Sequence, residues 1–131
     1  MKNNGDLAQK WLKMADEEFA VAQRLTDEAV GLAAACFHSQ QAAEKALKAW
    51  LIAHDLRPDK THKLEKLLTQ CAQVESSFRE LFPDAKPLTK HAVEDRYDAD
   101  FWPSMDQART ALERARRIYN FVKAHWKEQK T

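Results

Sequence analysis

The stretch Phe37–Trp50, "FHSQQAAEKALKAW", decides how the chain folds. Its spacing is helical, yet its polar residues do not keep to a face of their own. Gln40, Gln41, Glu44 and Lys48 form a single stripe close to Phe37, Leu47 and Leu51. Such a stripe is either partly wet or internal. Glu44 and Lys48 stand four apart, as do Gln41 and Lys45, but an isolated pair of this kind contributes only ~0.2–0.5 kcal/mol. An intrahelical pair also gives no reason for two adjacent glutamines. Placed between helices or at a dimer seam, every group would need a partner, because a buried unpaired charge is costly. Arg96 in "VEDRYD" is the expected partner of Glu44, since its planar fork suits a carboxylate.

The rest of the chain builds helices around this one. A first helix is expected from about Asp6 to Ala29, with Asp6 as its cap and Leu7, Trp11, Met14, Ala15, Ala22 and Leu25 at three- and four-residue steps. Gly31 leaves room only for a short turn, so the second helix, about Leu32 to His54, folds back on the first. Pro58 enforces a loop, after which Thr61 is expected to cap a helix over "HKLEKLLTQCAQV". "FRELFP" reads as a short helical turn and "PLTKHAVEDRYD" as another, starting near Pro87. "DADFWPSMD" reads as an extended connection anchored on the bundle by Phe101 and Trp102. Ser104 with Gln107 has the form of a capping box. It opens a closing helix whose stripe is Ala108, Ala111, Leu112, Ala115, Ile118, Tyr119, Val122 and Trp126.

Composition agrees with this layout. The 131 residues suit one domain, 1–131, with its core over about 6–127, and they include only two glycines and four prolines. Good helix formers dominate. The expected class is all-α, an up-and-down bundle of about five helices. Its 21 basic and 20 acidic side chains leave a formal charge of +1, so no global field calls for nucleic acid. The tail is locally basic, with Arg109, Arg114, Arg116, Arg117, Lys123, Lys127 and Lys130, and reads first as a solvated face. No apolar run approaches the ~18 residues of a membrane span, and no leader is evident. Cys36 and Cys71 lack the spacing of a zinc site or a disulfide framework. The chain is expected to be cytoplasmic, with no membrane contact, no metal and no cofactor.

"FHSQQAAEKALKAWLIAHD" closely resembles the signature helix of the HEPN domain family (higher eukaryotes and prokaryotes nucleotide-binding). "WLKMADEEFAVAQRL", "THKLEKLL" and "DRYD" resemble that family's first helix, its third-helix opening and its Arg-Tyr segment, in the same order. The likeness covers about Trp11 to Val122. It implies a small helical bundle that forms a homodimer. It also implies membership of one of two branches. In one, the protein accompanies a minimal nucleotidyltransferase in a prokaryotic toxin–antitoxin pair. In the other it is a metal-independent ribonuclease, with an Arg-x4-6-His motif on or near the closing helix that cuts RNA through the 2′-hydroxyl.

The nuclease motif is not found where that branch would have it. Phe101, Trp102 and Pro103 occupy the positions that follow Arg96 at motif spacing. "RPDKTH", Arg57 to His62, has the spacing but lies in a loop, where His62 is expected to complete a helix start or bond across the bundle. Arg117 and His125 are one residue too far apart. His91 and Arg96 have the interval in reversed order, and on a regular helix they would splay by roughly 140°, so they need a helix break or a second subunit to converge. His38 and His54 flank the second helix without a metal-ligand pattern. No Gly-rich phosphate loop is present.

These readings favour a protein without a standard nuclease site. Gln41, Glu44, Lys45, Lys48, Arg96 and Tyr97 are its candidate polar network or nucleotide-contact surface. The rival is a ribonuclease toxin with an atypical site, for which His91 and Arg96 are the catalytic candidates. A third reading is a purely structural interaction module. The candidate partners are a second copy, a minimal nucleotidyltransferase, and nucleotide or RNA.

Overall fold

In the computed structural model, which describes residues 4–126, five α-helices and two 3-10 turns surround one apolar core. The helices are α1 (Asn4–Glu28), α2 (Leu32–Ala53), α3 (Leu64–Val74), α4 (Phe82–Val93) and α5 (Met105–Ala124). No strand occurs among the described residues, so the all-α bundle is the observed fold. Lys127 and Lys130 of the basic tail lie outside the described residues.

Helix α2 is the axis of the bundle, because α1, α3, α4 and α5 all pack against it. It therefore has almost no wet face, and Gln40 and Glu44 are buried along with its alanines and leucines. α1 runs antiparallel to it: Asn4 at the start of one bonds Asp55 just past the end of the other. The reversal between them is tight. Ala29 and Gly31 both take left-handed backbone at φ 55°, costly for the alanine and natural for the glycine. α5 closes the bundle antiparallel to α1, with Tyr119 bonded to Asp16 and stacked on Phe19. At the other end the Trp50 indole N–H donates to the His125 carbonyl at 3.1 Å.

Three helix starts differ from expectation: α1 begins at Asn4, so Asp6 lies in its first turn and does not cap it, and the starts of α3 and α4 are each set by a distant residue. Thr61 does not cap α3, which begins only at Leu64; the Thr61 hydroxyl instead accepts from the Lys63 amide. The free Leu64 amide is capped by the Thr89 hydroxyl of α4 at 2.9 Å, which in turn donates to Glu65 at 2.7 Å. α4 starts five residues before Pro87 and carries that proline inside. Pro87 has no N–H for the carbonyl of Pro83, four residues back. Arg114 of α5 donates to that carbonyl at 3.1 Å, so the helix continues. The same arginine and Arg117 grip the buried Asp84, with Arg117 reaching both its oxygens at 2.6 and 3.1 Å. That grip raises the Arg117 pKa, through the hydrogen bond to Asp84 first.

The Ser104–Gln107 capping box forms as expected, with the Gln107 amide donating to Ser104 Oγ and the Ser104 amide to Gln107 Oε1. The loop before it is anchored by Phe101, which packs on the core and against the His91 ring. Trp102 does not share that role: it is 84% exposed. The proline that follows restricts Trp102 to extended backbone, and the side chain points outward.

Candidate functional site

Glu44 is only 4% exposed, and every group it meets is a donor. Lys48 Nζ donates at 3.1 Å, His62 Nδ1 at 3.0 Å, Gln40 Nε2 at 3.2 Å and Gln41 Nε2 at 3.4 Å. Gln40 also donates to the His62 carbonyl at 2.9 Å, and Gln41 to Gln40 Oε1 at 2.7 Å. The two adjacent glutamines thus relay between the carboxylate and the backbone of the loop that crosses the stripe. The ion pair expected between Glu44 and Arg96 does not form; His62 takes that place. The expectation that His62 bonds across the bundle is met.

Lys45 belongs to a different contact. It bonds Glu18 of α1 at 2.5 Å, and His38 bonds the other oxygen of that carboxylate at 2.6 Å. The polar stripe is therefore two clasps, one holding the loop to α2 and one holding α1 to α2.

Arg96 is freed from both. Regular helix ends at Val93, and the 3-10 turn Asp95–Tyr97 redirects the chain. This turn sets the Arg96 guanidinium 4.6 Å over the Phe37 ring, with the Tyr97 ring 5.8 Å away, where cation–π attraction holds it. Among the described residues it meets no carboxylate. It forms a wall between two cavities. One, of about 350 Å³, is lined by Phe37, His38, His91, Asp95 and Phe101 as well. The other, of about 320 Å³, is lined by Gln41, His62 and Tyr97. Both lie at the small end of the range for small-molecule sites.

The break after Val93 also brings His91 and Arg96 to one cavity within a single chain. His91 Nδ1 faces Asp95 Oδ2 at 3.0 Å. A carboxylate only accepts, so Nδ1 carries the proton and Nε2 keeps its lone pair. Burial lowers the His91 pKa below its usual value, against the opposing pull of Asp95. The ring is thus neutral at pH 7 and oriented, a state suited to accepting a proton. Burial, with Asp95 adding, pushes the nearby Cys36 thiol up to about 11, which leaves it unreactive.

Asp95 is the group that sequence reading missed, although its four-residue step from His91 on one helix was visible. Glu18 and Asp84 were missed too, because their partners lie on other helices. Arg117 and His125 do not converge: Arg117 is held by Asp84, and the His125 ring stacks on Phe121 with Nδ1 at the Phe121 carbonyl. His54 is similarly tied to Trp50. Among the described residues no group of three or more His, Cys, Asp or Glu side chains could hold a metal.

The order of landmarks and the α2 signature now meet an independent comparison: the family model described as HEPN domain matches residues 8–125. The chain belongs to the HEPN domain family. Two solved structures share the bundle of this HEPN domain. TT1696 from Thermus thermophilus is 29% identical, with a TM-score of 0.78 over 89% of this chain and 96% of that one. ST0689, an archaeal HEPN homologue, is 25% identical, with a TM-score of 0.64 over 95% and 98%. No curated protein matches. No helix among the described residues of this HEPN domain is long and apolar enough to cross a membrane.

Proposed function

We propose that this HEPN-domain protein is a cytoplasmic, homodimeric partner of a minimal nucleotidyltransferase, and that Arg96 is its contact for nucleotide or RNA. One observation carries the reading. The acid of the signature helix is fully engaged, whereas Arg96 rests on an aromatic ring between two cavities, with no carboxylate among the described residues to neutralise it. A guanidinium so placed is ready for a phosphate, and the Phe37 and Tyr97 rings offer stacking surface for a base. Gln41 lines one of the Arg96 cavities, whereas Lys48 and Lys45 are held in the Glu44 and Glu18 clasps and serve the fold. The test pairs titration with ATP and with a short RNA against co-purification with a nucleotidyltransferase encoded beside this chain. Arg96→Ala should weaken nucleotide binding at least about tenfold, the scale of a lost charge-assisted contact. Wild-type protein that binds neither nucleotide nor nucleotidyltransferase would refute the reading.

A second reading, a metal-independent ribonuclease, is favoured by the convergence of His91 and Arg96 on one cavity. In it, the Nε2 of His91 takes the proton from an RNA 2′-hydroxyl while Arg96 holds the phosphate. Incubation with total cellular RNA in the absence of metal separates the two. Cutting that is lost in both His91→Ala and Arg96→Ala establishes the nuclease; no cutting by the folded dimer leaves the binding role.

A further inference from the structure

Helix α1 carries a pattern that neither the core nor the Arg96 cavities use. Leu7, Met14 and Val21 stand seven residues apart and are 41%, 39% and 42% exposed. Seven residues fall about 20° short of two full turns, so the three side chains make one outward line roughly 21 Å long. Trp11, Glu18 and Leu25, all half-buried, fill the positions between them. Leu7, Trp11, Met14, Glu18, Val21 and Leu25 thus follow the alternating three- and four-residue steps of a coiled-coil seam. The neighbouring side of α1, with Ala8, Ala15 and Ala22 about 100° round from Leu7, Met14 and Val21, is already buried in the bundle.

The only charge in the line is Glu18, and it is neutralised at home by Lys45 and His38. It can therefore enter an interface without becoming an unpaired buried charge. Beside Trp11, the Lys48 ammonium lies 5.9 Å from the ring and widens the surface onto α2.

The flank of the line says what covers it. Lys10, Glu17 and Arg24 are exposed, again seven apart, and alternate in sign. A parallel copy in register would set this charged flank against the partner's Ala8, Ala15 and Ala22, which the partner's own bundle already buries. An antiparallel copy centred on Met14 sets Met14 against the partner's Met14, Leu7 against the partner's Val21, and Lys10 within one residue of the partner's Glu17. Each pair recurs across the two-fold axis, as an isologous contact requires. We infer that the outer face of α1 is a self-association seam for a second copy of this chain, packed antiparallel about Met14.

This seam deepens the homodimer of the proposed function and rests on it. A strip about 21 Å long and one helix wide, about 10 Å, covers far less than the roughly 800 Å² per partner of a standard interface. The dimer is accordingly a concentration-dependent one. Sedimentation velocity on the full chain, from about 1 μM to a few hundred μM, should show the monomer giving way to dimer. Met14→Glu, which places two carboxylates at the axis, should raise the dissociation constant at least about tenfold. Lys10→Glu should weaken it several-fold, and adding Glu17→Lys should restore it, while the helical circular dichroism of every variant stays at the wild-type value. A wild-type monomer at all concentrations would remove the seam together with the dimer. A wild-type dimer that survives Met14→Glu, or that the charge swap does not restore, would remove this seam alone and place the dimer contact elsewhere.

Discussion

At the scale of single residues, the signature helix and the turn beside it hold two kinds of polar group that sequence alone presents as one. Glu44 is buried and serves the fold; Arg96 is open and, in the proposed function, is the group that meets a ligand. Substitution should separate them. Glu44→Ala leaves Lys48 and two glutamines without their acceptor and releases the His62 loop. Breaking such a buried, multiply bonded charge costs on the order of 3 kcal/mol, or roughly 10 °C in melting temperature for a chain of this length. Arg96→Ala removes no ion pair and gives up only its place over the Phe37 ring, about 0.5–1 kcal/mol, so it should melt about 2–4 °C below wild type. Thermal melts of the two variants side by side decide the point. Equal melting temperatures would show that the carboxylate is solvated and the clasp open. The stripe itself was legible, because glutamines and a carboxylate beside Leu47 and Leu51 demand partners. The identity of the partner was not. His62 reaches Glu44 only because the loop after Pro58 folds back over α2, and nothing local in the sequence records that path.

At the scale of elements, the long helices were legible and the short ones only roughly so, for one physical reason. α1, α2 and α5 end on local signals: Gly31, the break at Pro58, the Ser104–Gln107 box. The ends of α3 and α4 are set by other helices. Thr61 had the form of a cap, but the cap in use is Thr89, from 25 residues away. Pro87 had the form of a helix start, but Arg114 replaces its missing amide by donating to the Pro83 carbonyl. Thr89→Val keeps the shape of the side chain and removes both of its hydrogen bonds. It should lower stability by about 1–2 kcal/mol, the usual loss on removing a helix cap. Hydrogen exchange gives the more specific sign, since the Leu64 amide should lose protection more than amides at the centre of α2. Thr89→Ser, which keeps the hydroxyl, should retain it. Equal protection at Leu64 in Val and Ser variants would show that α3 needs no cap from α4.

At the scale of the whole molecule, charge is nearly balanced at +1, so pH acts on stability less through overall repulsion than through particular buried groups. His91 is one. It lies under the break that shapes the Arg96 cavities, its pKa lowered by burial although Asp95 beside it favours the cation. The unfolded chain leaves this imidazole near its ordinary value of about 6.5. Below that pH the unfolded state takes up more protons than the folded one, so folding is disfavoured as pH falls. Above it both states are neutral at this site, and the contribution is fully present. Stability should therefore decline from pH 7 toward pH 5, before the carboxylates titrate. His91→Gln, which cannot titrate, should flatten that decline whatever it does to the melting temperature at pH 7. The slope of melting temperature against pH between about 5 and 6.5 is the quantity to compare. If the slopes of wild type and His91→Gln coincide, the imidazole is as free to protonate in the fold as in the open chain. In that case it is not held neutral for proton transfer, and the nuclease reading loses its base.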